Sequence, residues 1–138
     1  MELQVGVKIF LRNSERKFLI LKRSPVKYPS VLDAWDIVGG RIEPGTTLLK
    51  NLERETKEEV GLSITTEPVL VAAQDILRGN GKHVVRLTYV GETQGDPVLD
   101  GEEHISYKWV TYAELLTHPD LDGYAKEILE SGSINKFA

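Results

Sequence analysis

The sequence predicts a mixed α/β fold in which helices pack on the faces of a mixed β-sheet. Apolar patterns typical of strands are interspersed with amphipathic helical patterns, but the two do not alternate strictly along the chain. The 138 residues match the commonest domain size, so we expect a single domain over residues 1–138. The chain contains no cysteine, and at this length a core can form without disulfides.

The N-terminal part is predicted to form two strands followed by a loop. Apolar residues alternate over residues 5–11, which is typical of a strand, and residues 13–16 supply turn chemistry. The apolar run at residues 18–21 predicts a returning, more buried strand. Prolines in residues 24–34 predict a loop, and the short apolar segment at 35–38 is expected to stop at two glycines.

Residues 46–60 are predicted to form a long amphipathic helix. Thr46 or Thr47 can cap its first amides, and Gly61 stands where glycine commonly ends a helix. On a helical wheel, one stripe about 80° wide is expected to face the sheet. This stripe contains Leu49, Leu52, Thr56 and Val60.

Downstream of this helix the sequence predicts a hairpin, a further strand and two short helices. The hairpin strands lie at residues 69–73 and 84–90, and Asn80-Gly81 between them is a strong turn signal. The remaining elements follow in chain order as a polar loop at 91–104, a strand near 107–110, and helices near 112–116 and 121–130. Trp35 and Trp109 are expected to belong to the core rather than to a stacking surface.

Three carboxylates occupy one flank of the predicted long helix. Glu55 and Glu59 lie about 60–100° from the centre of the apolar stripe, and Glu58 lies one step further round. Like charges at this spacing destabilise a helix, and partial burial increases the cost unless a cation neutralises them. Clustered carboxylates suit Mg²⁺, with Mn²⁺ as a substitute, and Mg²⁺ also binds phosphate oxygens. A solvated Glu/Lys face is the alternative interpretation.

Composition and missing motifs exclude several other functions. The chain has 17 Lys and Arg against 21 Asp and Glu, a net charge of −4, which argues against binding of polymeric nucleic acid. No segment reaches the ~18 apolar residues of a membrane helix, and the N-terminus lacks a signal-peptide pattern, so a cytoplasmic protein is expected. There is no G-K-[ST] phosphate loop and no G-x-S-x-G elbow. Three histidines, His83, His104 and His118, are too scattered to predict a metal cluster.

The segment from Gly40 to Leu62 resembles the Nudix box, GX5EX7REUXEEXGU, where U is a bulky aliphatic residue. The spacing is kept over 23 contiguous residues, and the R-E-x-x-E-E-x-G part is intact. Upstream, W-D-I-V-G-G at residues 35–40 resembles the family's W-D-x-P-G-G segment. Downstream, Trp109-Val110 followed by Glu114-Leu115 resembles the family's late strand-to-helix step.

Three positions depart from the family pattern. Thr46 stands where the box has its first Glu, Thr56 replaces the aliphatic residue, and Val38 replaces the proline before the two glycines. We expect Thr46 to weaken or alter support of the metal site without abolishing it. Glu43, three residues upstream, is a candidate to compensate for the missing carboxylate.

The resemblance implies an α/β/α sandwich with a mixed sheet and a divalent-metal-dependent hydrolase. Its substrate would be a small phosphorylated molecule, a nucleoside diphosphate linked to another moiety. A nucleoside triphosphate that yields a monophosphate and pyrophosphate is expected first, with ADP-ribose or a nucleotide sugar as the alternative. A non-catalytic module that binds a nucleotide or a protein is the second alternative. No membrane partner is expected, and the protein would be a monomer or a homodimer.

The resemblance also assigns roles to residues of the box. Glu58 and Glu59 would be metal ligands, and Glu55 would be a further ligand or the general base. Gly39 would offer its carbonyl oxygen to the metal, because glycine permits close approach of the backbone. Arg54 would hold the carboxylates in place through charge-assisted hydrogen bonds.

Outside the box, the resemblance points to two more positions. Glu103, with Glu102 as the adjacent option, would supply an additional ligand or the general base; a solvated acidic loop is the alternative. Arg23 would bind a phosphate group of the substrate, whereas an isolated arginine is otherwise a surface cation.

Overall fold

Strands and helices are mixed along the chain, as the sequence predicts. The computed structural model describes residues 1–29 and 33–138, so residues 30–32 of the expected loop lie outside the described residues. In chain order the strands are β1 (Glu2–Arg12), β2 (Phe18–Arg23), β3 (Trp35–Asp36), β4 (Val38–Arg41), β5 (Val69–Leu77), β6 (Lys82–Glu92) and β7 (His104–Val110). The helices are α1 (Leu48–Val60), α2 (Tyr112–Leu116) and α3 (Gly123–Ser131), followed by a 3-10 turn at Asn135–Phe137.

Strand β1 organises a mixed sheet that has two wings. In one wing β1 pairs in parallel with β6 and antiparallel with β4, and β5 pairs antiparallel with β6. In the other wing β2 pairs antiparallel with β3 and β7. The wings join where Arg12 of β1 pairs with Phe18 of β2, and residues of both wings line one cleft.

Helices cover both sides of the sheet, which confirms the expected sandwich. Adjacent residues of a strand point to opposite faces, so Phe10 and Ile20 belong to the cluster under α3, whereas Ile9 and Leu19 belong to the cluster under α1. No helix of the described residues is long and apolar enough to cross a membrane.

Several element boundaries differ from the sequence prediction. The segment at 35–38 does not stop at the two glycines, because β4 continues through them to Arg41 and pairs with β1. Strand β5 extends to Leu77, and the predicted loop at 91–104 loses its first two residues to β6 and its last to β7. Backbone pairing with a neighbouring strand, which a local pattern does not contain, extends each of these strands.

Helix α1 begins and ends at the predicted signals but is rotated relative to the predicted wheel. Thr47 is the N-cap and Gly61 the C-cap, so Thr46 lies outside the helix. Leu49, expected to face the sheet, is 37% exposed, whereas Asn51 and Glu59 are buried together with the remaining predicted residues of the stripe. On the same wheel, this places Glu59 near the centre of the buried face, a rotation of about 50°.

Asn51 connects the loop before α1 to the helix. Its Oδ1 accepts from the backbone N–H of Glu43 at 2.8 Å and from Arg54 Nη2 at 3.0 Å. Its Nδ2 donates to the carbonyl oxygens of Thr46 at 3.1 Å and Thr47 at 2.7 Å. A fully buried amide with all of these partners fixes the backbone from which the carboxylates of α1 project.

Replacing this amide should destabilise the protein strongly. Asn51→Ala removes the acceptor of the Glu43 N–H and of Arg54 Nη2 and the donor to the Thr46 carbonyl oxygen, whereas the Thr47 carbonyl oxygen keeps the backbone N–H of residue 51. We therefore expect the free energy of unfolding to fall by about 3 kcal/mol. Lys50→Ala, an exposed neighbour on the same helix, is the control and should change it by less than about 0.5 kcal/mol. Urea unfolding followed by circular dichroism measures both; equal effects of the two variants would contradict the role of Asn51.

Candidate functional site

A polar cleft of about 1070 Å³ lies between the two wings of the sheet. Its walls come from β1, β4, α1, the end of β2, the start of β7 and the start of α3. Three carboxylates of the predicted site, Glu55, Glu59 and Glu103, line this cleft together. Residues that are distant in the sequence therefore meet at one acidic part of the cleft.

Gly39 brings the backbone of β4 into contact with Glu59. The N–H of Gly39 donates to Glu59 Oε1 at 3.0 Å. Gly39 has a φ of +145°, and a Cβ at this position would lie 2.0 Å from the carbonyl oxygen of Val7, so only glycine fits. Burial raises the pKa of Glu59 to about 8, although Lys8 and the Gly39 amide act in the opposite direction. The site thus holds a carboxylate whose charge is not compensated.

Gly40 makes room for the second carboxylate of the cleft. A Cβ at Gly40 would lie 2.7 Å from the carboxylate carbon of Glu55, so a larger residue would displace this side chain. Burial raises the pKa of Glu55, and Arg54 lowers it in part. Gly39 therefore donates a hydrogen bond to one carboxylate of α1, and Gly40 leaves the space for the other.

Arg54 lies against the carboxylates as the sequence comparison with the box suggested. Its Nη1 donates to Glu55 at 2.9 Å and to Glu58 at 3.2 Å, and its Nη2 donates to the carbonyl oxygen of Arg41 at 3.2 Å. Glu58 itself is well exposed and is not among the residues that line the cleft. Its assignment as a metal ligand stays a prediction.

Glu43 approaches Arg54 where Thr46 offers no carboxylate. Thr46 is exposed, and its backbone N–H donates to the Glu43 carbonyl oxygen at 3.2 Å. Glu43 Oε1 lies 3.6 Å from Arg54 Nε, a buried N–H that has no hydrogen-bond partner among the described residues. Glu43 thus lies near Arg54, and its compensation for Thr46 stays a prediction.

Glu103 extends the acidic part of the cleft from the opposite side. Its backbone N–H and that of Glu102 donate to Asp100 Oδ1 at 3.2 and 3.1 Å, which orders the end of the loop. The Glu103 carboxylate lies 3.3 Å from Lys27 Nζ, whereas Glu102 is not among the residues that line the cleft. Of the two candidate carboxylates, the structure brings Glu103 to the site.

His104 joins the acidic group, although the spacing of histidines did not predict it. One ligand atom each of Glu59, Glu103 and His104 lie within 4.8 Å of one another. The His104 ring is buried, its Nδ1 has no hydrogen-bond partner among the described residues, and burial lowers its pKa. A neutral imidazole can bind a metal. The available signal was its position directly after Glu103, at the start of a strand.

Lys8 is a second residue that sequence reasoning missed. Its Nζ lies 2.9 Å from Asp36 Oδ2, 3.1 Å from the Ile37 carbonyl oxygen and 3.5 Å from the Gly39 carbonyl oxygen. The Gly39 carbonyl, the predicted backbone ligand, therefore already faces a cation. Burial would raise the pKa of Asp36, but Lys8 and Arg23 hold it below its usual range.

Arg23 lines the cleft, but two carboxylates hold its guanidinium. Nη2 donates to Asp36 at 2.8 Å and to Asp122 at 3.1 Å, and Nη1 donates to the Asp33 carbonyl oxygen at 2.6 Å. The structure therefore gives Arg23 a local role in fixing the cleft wall. Its assignment to substrate phosphate stays a prediction.

The donor set of the acidic part fits a hard or borderline divalent cation. Carboxylate oxygens suit Mg²⁺ and Mn²⁺, and an imidazole nitrogen is better tolerated by Mn²⁺ than by Mg²⁺. The raised pKa values of Glu55 and Glu59 indicate that the carboxylates lack sufficient positive charge nearby. The residues that could hold the ion are Glu55, Glu59, Glu103 and His104.

Comparison with known proteins identifies the family. The family model described as the NUDIX domain matches residues 2–131. A Mycobacterium tuberculosis protein named "Putative 8-oxo-dGTP diphosphatase 2" is 31% identical over 96 residues, which span 70% of this chain and 67% of that protein. An Escherichia coli protein named CTP pyrophosphohydrolase is 28% identical over 85 residues, which span 62% of this chain and 61% of that protein.

A solved structure gives the same result for the fold. The MutT protein from Methanosarcina mazei Go1 superposes with a TM-score of 0.81 and is 27% identical, with 98% of this chain and 96% of that chain covered. The similarity therefore spans both wings of the sheet and the helices.

The shifted pKa of Glu59 predicts a pH-dependent stability of the metal-free protein. The unfolded chain loses this proton near pH 4.5 and the folded protein near pH 8, so stability is full below the lower value and falls as pH rises through the upper one. We expect the melting temperature in chelator to fall by several degrees from about pH 5 to about pH 9. Glu59→Gln, which keeps an acceptor for Gly39, should flatten this dependence.

Glu53, an exposed residue of the same helix, provides the control for this measurement. Glu53→Gln should keep the pH dependence of the wild type, because Glu53 is exposed. Parallel curves for the wild type and Glu59→Gln would show that this carboxylate does not carry the shift.

Proposed function

The chain belongs to the Nudix family, and on this premise we propose that it hydrolyses a phosphoanhydride bond of a nucleoside diphosphate linked to another group. The observation that carries the proposal is the pair of carboxylates formed by buried Glu59, which accepts from Gly39, and partly buried Glu55, which lies against Gly40. Such a pair is costly in the absence of a cation and suited to one that also binds phosphate. An acidic protein can thereby handle an acidic substrate.

Nucleoside triphosphates are the substrates that we propose first. The relatives' names refer to 8-oxo-dGTP and CTP, which are both of this class. Water would attack one phosphorus of the triphosphate, the phosphoanhydride bond would break, and a nucleoside monophosphate and pyrophosphate would leave. ADP-ribose and nucleotide sugars contain the same type of bond and are the alternative.

The chain's own residues supply positioning and proton transfer in this reaction. A divalent cation bound by the acidic group would polarise a phosphoryl oxygen and neutralise charge on the substrate. Glu55 and Glu103 both face the cleft and can accept the proton of the attacking water. Arg54 keeps Glu55 oriented through its 2.9 Å hydrogen bond.

Release of phosphate from a panel of substrates tests this function. The panel contains nucleoside triphosphates, ADP-ribose, nucleotide sugars and dinucleoside polyphosphates, each with Mg²⁺, with Mn²⁺ and with chelator. We expect metal-dependent release from one class of substrate. In Glu59→Gln, kcat should fall by about 10²–10⁴-fold. The same loss is expected in either Glu55→Gln or Glu103→Gln, depending on which of the two carboxylates is the general base. The base variant should retain its affinity for Mn²⁺.

The same helix provides a control variant for this experiment. Glu53→Gln, on the exposed face of α1, should retain wild-type kcat. No release from any substrate would favour a module that binds a nucleotide or protein without cleaving it. Restoring the box carboxylate with Thr46→Glu would then test whether the departure at this position accounts for the loss.

The nitrogen ligand gives the metal site a spectroscopic signature. If His104 binds the ion, pulsed electron paramagnetic resonance of the Mn²⁺-loaded protein should show ¹⁴N coupling, which His104→Gln removes. His83, which lies 2.7 Å from Asp75 on an exposed part of the sheet, supplies the matched control His83→Gln. Coupling that survives in His104→Gln would exclude this histidine as a ligand.

A further inference from the structure

The cleft has a second, basic part beyond the acidic one. Four cationic side chains line it, namely Arg41, Arg78, Lys82 and Arg86. They come from the end of β4, from the β5–β6 turn and from β6. The proposed metal site does not use any of them.

The pairing register of β1 gives the separation of the two parts along the sheet. Lys8 of β1 pairs with Gly39 at the acidic part, Gly6 pairs with both Arg41 and Arg86, and Glu2 pairs with Lys82. At about 3.3 Å per residue, the backbone rungs that carry the cations lie about 7 to 20 Å along β1 from the rung of Lys8 and Gly39. This span matches an elongated substrate rather than a diphosphate group alone.

Gly6 lets the Arg41 side chain lie close to the sheet in the basic part. It stands between Arg41 and Arg86 on one rung of the sheet, and a Cβ there would lie 3.6 Å from Arg41 Nη1. Because neighbouring strands are about 4.8 Å apart, the Cα atoms of the two arginines lie about 10 Å apart, and the Arg41 guanidinium lies near the glycine between them. Both side chains therefore line the same part of the cleft.

Tyr124 of α3 contacts the guanidinium groups of Arg78 and Arg86. The guanidinium carbon of Arg78 lies 5.4 Å from the centre of its ring, and that of Arg86 lies 5.1 Å from it. Such contacts favour a fixed position over the aromatic face. The backbone of Tyr124 is itself held by Gln74 of β5, which donates to its carbonyl oxygen at 3.0 Å.

The charges of this part are only partly compensated. Arg86 pairs with Asp122 at 3.0 Å, but no carboxylate of the described residues lies within 4.0 Å of a side-chain nitrogen of Arg41, Arg78 or Lys82. Burial, together with Arg86 and Arg78, lowers the pKa of Arg41. A neutral group bound here would leave this repulsion in place, whereas an anion would relieve it.

We propose that the basic part, formed by Arg41, Arg78 and Lys82 beside Arg86, binds a second phosphate of the substrate, remote from the phosphoanhydride. The inference rests on the proposed function, because it places the phosphoanhydride at the acidic part of the same cleft. Among the alternative substrates, in which the nucleoside diphosphate is linked to another group, those that carry an additional phosphate monoester would then be preferred. Arginine pairs with phosphate through two parallel hydrogen bonds, which gives selectivity for this group.

Matched ligands that differ by one phosphate test the proposal by binding alone. NADP⁺ is compared with NAD⁺, and coenzyme A with its dephospho form, by calorimetry with Ca²⁺ present. We expect the additional phosphate to increase affinity by about 10-fold in at least one pair. The gain should shrink at high salt and disappear in Arg41→Gln and in Arg78→Gln. Arg16→Gln changes an exposed arginine outside the cleft and should retain the gain.

Binding and turnover separate the two proposals. Equal affinities within both pairs, or an unchanged gain in Arg41→Gln, would overturn the second-phosphate site even if the enzyme hydrolyses other nucleotides. Absence of detectable binding of both phosphorylated ligands would overturn it as well. If neither the panel substrates nor NADP⁺ and coenzyme A are cleaved but the phosphate-dependent gain is observed, the hydrolase proposal fails and the binding site stands.

Discussion

The close contact between α1 and the two glycines of β4 is the constraint on which the site depends. Because Gly39 has no side chain, β4 lies close to Val7 and Lys8 of β1, and in this position its N–H donates to the Glu59 carboxylate. Because Gly40 has none, the Glu55 carboxylate lies directly against it. Burial, nearly complete for Glu59 and partial for Glu55, raises the pKa values of both carboxylates. The geometry that assembles the acidic part therefore also creates its demand for positive charge.

A chain of ion pairs carries this geometry from the acidic part to the basic part. Lys8 pairs with Asp36, Arg23 bridges Asp36 and Asp122, and Arg86 completes the chain at Asp122. Asp122 also accepts from the N–H of Ala125 at 3.1 Å and so caps α3. Three cations meet two carboxylates, all buried except the partly buried Arg23, and these groups connect β1, β2, β3, β6 and α3. Removing Asp36 would leave buried Lys8, and removing Asp122 would leave buried Arg86, without a carboxylate partner, so these two acids fix the cleft.

The sequence predicts best what local chemistry decides. Thr47 and Gly61 bound α1 through hydrogen bonds within a few residues, and Asn80-Gly81 marks the hairpin, so these signals are legible without the fold. The rotation of α1 cannot be predicted in this way. A helical wheel places apolar residues on the buried face, and it does not show that buried Glu59 accepts a hydrogen bond from Gly39 of β4. His104 and Lys8 reach the site only because strands distant in sequence converge there. The spacing of histidines along the chain contains no information on such convergence.

The opposite charges of the two parts have a consequence for the order of binding under the proposed function. Without a cation, the acidic part repels phosphate groups, and the basic part is the more favourable place for any phosphate of the substrate. A diphosphate bound there would lie two residues or more along β1, about 7 Å, from the rung of Lys8 and Gly39 that holds Glu59. Cation binding reverses the sign of the field at the acidic part, so that the phosphoanhydride can lie beside the carboxylates while a remote phosphate occupies the basic part. The charge distribution of the cleft thus couples metal binding to the direction in which the substrate lies.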